Sequence, residues 1–216
     1  IYRGGAVIFR RTENCILHDC YIHNVGGNGI FFDKYNRHSA ITGSFLTSIG
    51  ASAICFVGDP AGVRSPSFRY EEFVTLDKMD RAKGPLNENH PAYCEVYNNL
   101  ICNIGLFEKQ ITGVELSMCR NITISHNSIY DTPRAGINIS EGTWGGHIIE
   151  HNDIFNTVKE TGDHGSINSW GRDRFWHPDY NVMAQIVCEH PALILADIVN
   201  PIIIRHNRLR CDRGWD

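Results

Sequence analysis

Between residues 113 and 169 the chain states one pattern of apolar and polar positions twice. Asn121-Ile-Thr-Ile-Ser-His-Asn127-Ser-Ile-Tyr130 is followed by Gly146-His-Ile-Ile-Glu-His-Asn152-Asp-Ile-Phe155. Each phrase alternates apolar residues, places an Asn at the same point and returns to an apolar residue. A polar stretch then leads to a Gly-apolar strand, at Gly136-Ile137 and again at 165–168. Strict alternation in so short a unit is incompatible with a helical repeat and predicts one coil of a parallel β-solenoid.

The polar residue at the register point recurs at Cys20, Ser44, Asn99, Asn127, Asn152 and Asn207, with spacings of 24, 55, 28, 25 and 55. Two steps are long, and their excess lies in the Pro-, Gly- and charge-rich segments 58–91 and 171–201. The pattern therefore predicts an all-β parallel β-helix of about six coils with two inserted loops. Both leave the solenoid after a Gly-apolar strand, so both are expected on the same side, walling a cleft.

Coils stacked ~4.8 Å apart pair in parallel. Ile122, Ile124, Ile129, Ile149, Ile154, Ile202, Ile204 and Leu209 are expected inside. The recurring Asn residues are expected to form a hydrogen-bonded ladder. His126, His151 and His206 lie next to it and read as a stacked structural column rather than as metal ligands. Aligning the strands that start at Ile30, Ile54, Val114, Ile137 and Ile167 gives an outward column of Phe31, Cys55, Glu115, Asn138 and Asn168. It turns polar in its last three members. A polar column on a solenoid face, walled by loops, is expected to bind an extended chain.

Composition narrows the possibilities. The 216 residues suit one domain with a sizeable core, and they open and close inside apolar phrases, as a segment of a longer solenoid would. A net charge of −4 leaves no basic face for nucleic acid. No apolar run is long enough to span a membrane. The eight Cys lack CxxC spacing and mostly fall inside the repeats, which fits buried thiols better than disulfides or zinc. No Gly-rich phosphate loop, HExxH or GxSxG is present.

The densest polar cluster, at 160–176, contains Asp163, His164, Asn168, Trp170, Arg172, Asp173 and Trp176. It uses four extra residues before its strand: Asn152 to Gly165 is 13, against 9 from Asn127 to Gly136. Asp163 and His164 are therefore expected at the cleft edge. Asp216 falls at the equivalent place one coil later. Two carboxylates one coil apart would stand ~5 Å from one another, which suits a retaining glycosidase, whereas two coils would suit inversion. Glu115 is a third carboxylate within reach, with Asn138 beside it. Trp144, in Glu141-Gly-Thr-Trp144, is either a platform for a sugar ring or part of a tight turn. Asp131-Thr-Pro-Arg134 reads as a turn.

On GINISEGTWGGHIIEHNDIFNTVKETGDHGSINSWGRDRFW and IRHNRLRCDRGWD, the chain resembles the large right-handed parallel β-helix proteins that degrade polysaccharides, glycoside hydrolase family 141 in particular. That resemblance implies α-L-fucosidase- or xylanase-type hydrolysis by two Asp residues on neighbouring coils, matched here by Asp163 and Asp216. It also implies export to the periplasm, cell surface or medium.

The functional expectation is thus a glycosidase acting on a carbohydrate. Asp163 and Asp216 supply acid and nucleophile or base, and Glu115 stands in reserve. His164, Arg172, Asp173, Asn138 and Asn168 hold hydroxyls, and Trp144, Trp170 and Trp176 stack on rings. No cofactor is expected. A polysaccharide lyase, which would add Ca²⁺, and a non-catalytic glycan-binding solenoid are the alternatives.

Overall fold

The computed structural model describes residues 2–140, 144–171 and 173–214. The chain is a right-handed parallel β-helix. Among the described residues six coils of three short strands, with the two-residue strand Pro91–Ala92 added beside Ile30–Arg37, stack into three sheets in which every pairing is parallel and runs from one coil to the next in sequence order.

The first sheet carries Val7–Glu13, Ile30–Arg37, Ile54–Val57, Val114–Ser117, Ile137–Ser140 and Ile167–Ser169. Its register sets Phe31, Cys55, Glu115, Asn138 and Asn168 in one column, as the alternation demands. Their neighbours Ile30, Phe32, Ile54, Phe56, Val114, Leu116, Ile137 and Ile139 fill the solenoid interior. There they meet Ile41, Val96, Ile124 and Ile149 from the second sheet and Leu46, Ile101, Ile129 and Ile154 from the third. Phe9, Phe32 and Phe56 stack face to face with centroids 4.5 Å apart at each step. Each such side chain contributes roughly 1.5–3 kcal/mol by leaving water.

The Asn ladder occupies the corner between the second and third sheets. Asn99, Asn127 and Asn152 each donate a backbone N–H and a side-chain amide to the carbonyl oxygen of the next Asn, at 2.9–3.0 Å. Each amide also donates to a backbone carbonyl, Ile41, Val96 and Ile124 in turn. The residue before the ladder takes a left-handed conformation, φ 59° at His126 and 55° at His151 and His206. The imidazoles consequently stack outside the corner, 5.0 Å apart.

Two expectations need correction. Ile202, Ile204 and Leu209 are exposed, Ile204 by 51%. They lie on the last coil, and among the described residues no further coil covers them. The outward column, in turn, is not an open face. Phe31 and Cys55 are buried with Val57, Met118 and Trp144 in a second apolar cluster, roofed by Val63 and Phe68 of the first insertion.

The insertions do leave from the same sheet, after Ile54–Val57 and after Ile167–Ser169, and they pack on one another. The second contains the helices Tyr180–Glu189 and Pro191–Ile194. Arg174 of the second insertion is buried and donates to the carbonyls of Asp80 (2.6 Å) and Ala82 (2.8 Å) in the first. Its guanidinium also pairs with Asp197. The Trp176 indole N–H donates to the Tyr70 carbonyl at 3.1 Å, and Gly84 N–H donates to the Ala196 carbonyl at 2.8 Å.

Candidate active site

Beside the roofed part of the column lies a cavity of about 660 Å³, within the range of roughly 300–1,000 Å³ usual for ligand sites. Its wall is assembled from successive coils: Gly26, Gly27 and Asn28, then Gly50, Ala51 and Ser52, then Phe107, Glu108, Gln110 and Ile111, then Arg134. Glu115, Asn138 and Ser140 form its polar side, and Trp170 closes the far end. Four coil steps at ~4.8 Å make an elongated trough.

Glu115 is the chemical centre. It is 6% exposed, yet both carboxyl oxygens are bonded. Asn138 Nδ2 lies 3.0 Å from Oε1 and 3.1 Å from Oε2. The Ser140 hydroxyl donates to Oε1 at 2.7 Å and the Thr112 hydroxyl to Oε2 at 3.1 Å. Asn168 Nδ2 donates to Asn138 Oδ1 at 2.8 Å and so fixes which end of the Asn138 amide faces the acid. Burial pushes the Glu115 pKa up, against these hydrogen bonds and the nearby Arg134 charge, which favour ionisation. A carboxyl group held protonated above its ordinary range is suited to donate a proton.

Arg134 is the second feature, 7% exposed and on the cavity wall. Its Nε–H donates to His164 Nε2 at 2.8 Å, and His164 Nδ1 lies 2.6 Å from Asp163 Oδ1. With Nε2 accepting, the proton of the neutral ring sits on Nδ1, the nitrogen beside the Asp163 carboxylate. Burial, and then the Arg134 charge, lower the His164 pKa and keep the ring neutral, while Asp163 opposes them. Burial also lowers the Arg134 pKa, with Glu115 and Asp163 opposing.

The structure therefore gathers some of the expected residues and separates others. Glu115, Asn138 and Trp170 line the cavity. Asn168 and His164 stand behind that lining and orient it. Asp163 has a 73% exposed side chain and meets the cavity only through His164 and Arg134. Trp144, expected as a sugar platform, is corrected: it is wholly buried, 4.7 Å from the His90 ring, and has no face to offer. Asp173 and Trp176 belong to the second insertion and do not line the cavity; Trp176 packs edge-on to Tyr70. Residues 141–143, Arg172 and Asp216 lie outside the described residues, and with them the pairing of Asp163 with Asp216. Among the described residues no three His, Cys, Asp or Glu side chains converge as metal ligands, and no helix is long and apolar enough to cross a membrane.

Sequence reasoning missed Arg134, Ser140 and Thr112 as site residues. Ser140 was readable, because it follows Asn138 by two on the same strand face. Arg134 was hidden in a segment whose Pro and Asp signalled only a turn.

No protein-family model matches the chain, and neither does any curated protein. Among solved structures, a glycoside hydrolase superposes with a TM-score of 0.53 at 14% identity, covering 77% of this chain and 27% of that one. The A-modules of the mannuronan C-5 epimerases AlgE4 and AlgE6 of Azotobacter vinelandii match with TM-scores of 0.46 at 13% identity, over 73% of this chain and 39% of theirs. Likeness at these identities is likeness of fold. This chain spans 27% of the glycoside hydrolase it matches.

Proposed function

We propose that this chain supplies the substrate trough and proton donor of a carbohydrate-active β-helix enzyme, a glycoside hydrolase of the family 141 kind. One observation carries the reading: Glu115 is buried and held towards its protonated form on the wall of an elongated cavity. In the reaction the Glu115 O–H protonates the glycosidic oxygen as the C–O bond breaks. Among the described residues Glu108 is the one other acidic side chain on the cavity wall. It takes the role of second carboxylate, either activating water or attacking the anomeric carbon. Trp170 stacks on a ring at the far end. As written, the step needs no metal or organic cofactor. Action outside the cytoplasm, which the family resemblance implies, belongs to the same proposal.

A lyase reading gains support from Arg134, a cation placed to neutralise a uronate. Incubation of the 216-residue chain with a polysaccharide panel separates the readings. Hydrolysis releases reducing ends without new ultraviolet absorbance, lyase action creates an absorbing unsaturated product, and a binding module does neither. Glu115→Gln should abolish reducing-end release, whereas Asp163→Asn should reduce it only partly. An active Glu115→Gln alongside inactive Asp163→Asn and Asp216→Asn would return catalysis to the two Asp residues.

A further inference from the structure

We propose that the cavity selects an anionic sugar unit, with the Arg134 guanidinium as the receptor for its carboxylate or sulfate. The inference rests on the cavity being a glycan site, and it adds the substrate class.

Among the described residues three arginines are buried: Arg37, Arg134 and Arg174. Arg37 pairs with Glu88 and Arg174 with Asp197. Arg134 alone of the three has no carboxylate partner among the described residues. Its one hydrogen bond uses Nε, on a neutral imidazole. Glu115 and Asp163 act on its charge from beyond ion-pair distance, and a buried cation without a directly paired carboxylate is costly. Among the described residues no carboxylate pairs with its guanidinium, and the residue lines the cavity.

The geometry favours a ligand oxyanion. With Nε held by His164, both Nη groups remain for a bidentate contact with a planar or tetrahedral oxyanion. His164 holds Nε, and the Asp163 carboxylate stands 2.6 Å from the other ring nitrogen. Asp163 is a positioning residue in this scheme, and its own charge is directed to His164 Nδ1. Glu108 is the carboxylate that opposes an anion, but it is exposed and screened by water. At Glu115, burial disfavours the charged form.

The test is titration calorimetry of the whole chain with oligogalacturonides, with the same oligomers after carboxyl reduction, and with sulfated galactan fragments. We expect the acidic oligomers to bind roughly tenfold to a hundredfold tighter than the reduced ones, the factor of a charge-assisted hydrogen-bond pair. That preference should fade as salt rises from ~0.01 to ~1 M and the Debye length shrinks to ~3 Å. The carboxylate and sulfate arms identify which oxyanion fits. Arg134→Gln should erase the preference for acidic over reduced oligomers. Arg134→Lys should keep the salt dependence but lose part of the affinity. Equal, salt-insensitive binding of charged and reduced oligomers overturns the inference, as does absence of binding to all three. The first outcome with reducing-end release leaves the proposed hydrolysis standing. An acid preference without any cleavage leaves this inference standing and removes the enzyme reading. Should Arg134→Gln fail to fold, the wild-type comparison of native and reduced oligomers still decides.

Discussion

Glu115 and Asn138 face one another on adjacent coils, and one amide nitrogen of Asn138 spans both carboxyl oxygens at 3.0 and 3.1 Å. Parallel stacking in register makes this pair: residues 23 apart in the chain become lateral neighbours in the sheet. The same stacking places Asn168 behind Asn138 and thus a three-residue polar line beneath the cavity.

Glu115 makes the fold sensitive to pH in a defined direction. Its folded pKa is raised above the ordinary 4.5, so the folded chain holds the proton more tightly than the unfolded one. Stability is therefore fully present below that value and is lost as pH rises through the folded pKa. Glu115→Gln, neutral at every pH, should flatten this part of the profile and melt higher than wild type at neutral pH. Melting curves from pH 4 to 8 read the difference. In activity, the same variant should lose about 10²–10⁴-fold, the usual worth of a positioned acid.

Asn127 should be the costliest single residue of the ladder. It donates to the Val96 and Ser125 carbonyls and to Asn152, and accepts from Asn99. Asn127→Ala leaves several buried groups unpaired at ~1–3 kcal/mol each, partly relieved by relaxation. A net loss of about 3 kcal/mol is expected, which lowers Tm by roughly 6–12 °C for a chain of this size. An unchanged melting temperature would deny the ladder its structural part.

Arg174→Met should release the two insertions from one another without unwinding the coils. The change removes the Asp197 pair and two contacts to the first insertion. Breaking a buried ion pair costs about 3–5 kcal/mol locally. Limited proteolysis should cut first within 58–91 and 171–201, while the bands of the coil segments persist.

The thiols should divide by burial. Among the described residues no Cys forms a disulfide; Cys55, Cys94, Cys102 and Cys119 are buried and Cys188 is exposed. Burial raises the Cys94 thiol to about 11 and pushes Cys55 and Cys119 up as well, so these three are poor nucleophiles at neutral pH. Timed alkylation followed by mass spectrometry should modify Cys188 first and the buried four only after denaturation. Reductant should leave the melting temperature unchanged.

The architecture was written in the chain because β-helix coils obey a local rule. Alternation fixes which face each residue takes, and the repeated Asn fixes where the chain turns. The register of Phe31, Cys55, Glu115, Asn138 and Asn168 followed from strand alignment alone. What the loops cover obeys no such rule. Trp144 read as either a sugar platform or part of a tight turn, and the first insertion folds over it; Arg134 looked like a turn residue until its side chain reached His164 thirty positions away. Periodicity determines stacking because it depends on neighbours one coil distant. Burial of a polar group, and hence its charge and chemistry, depends on which segments meet over it, and that only the tertiary structure decided.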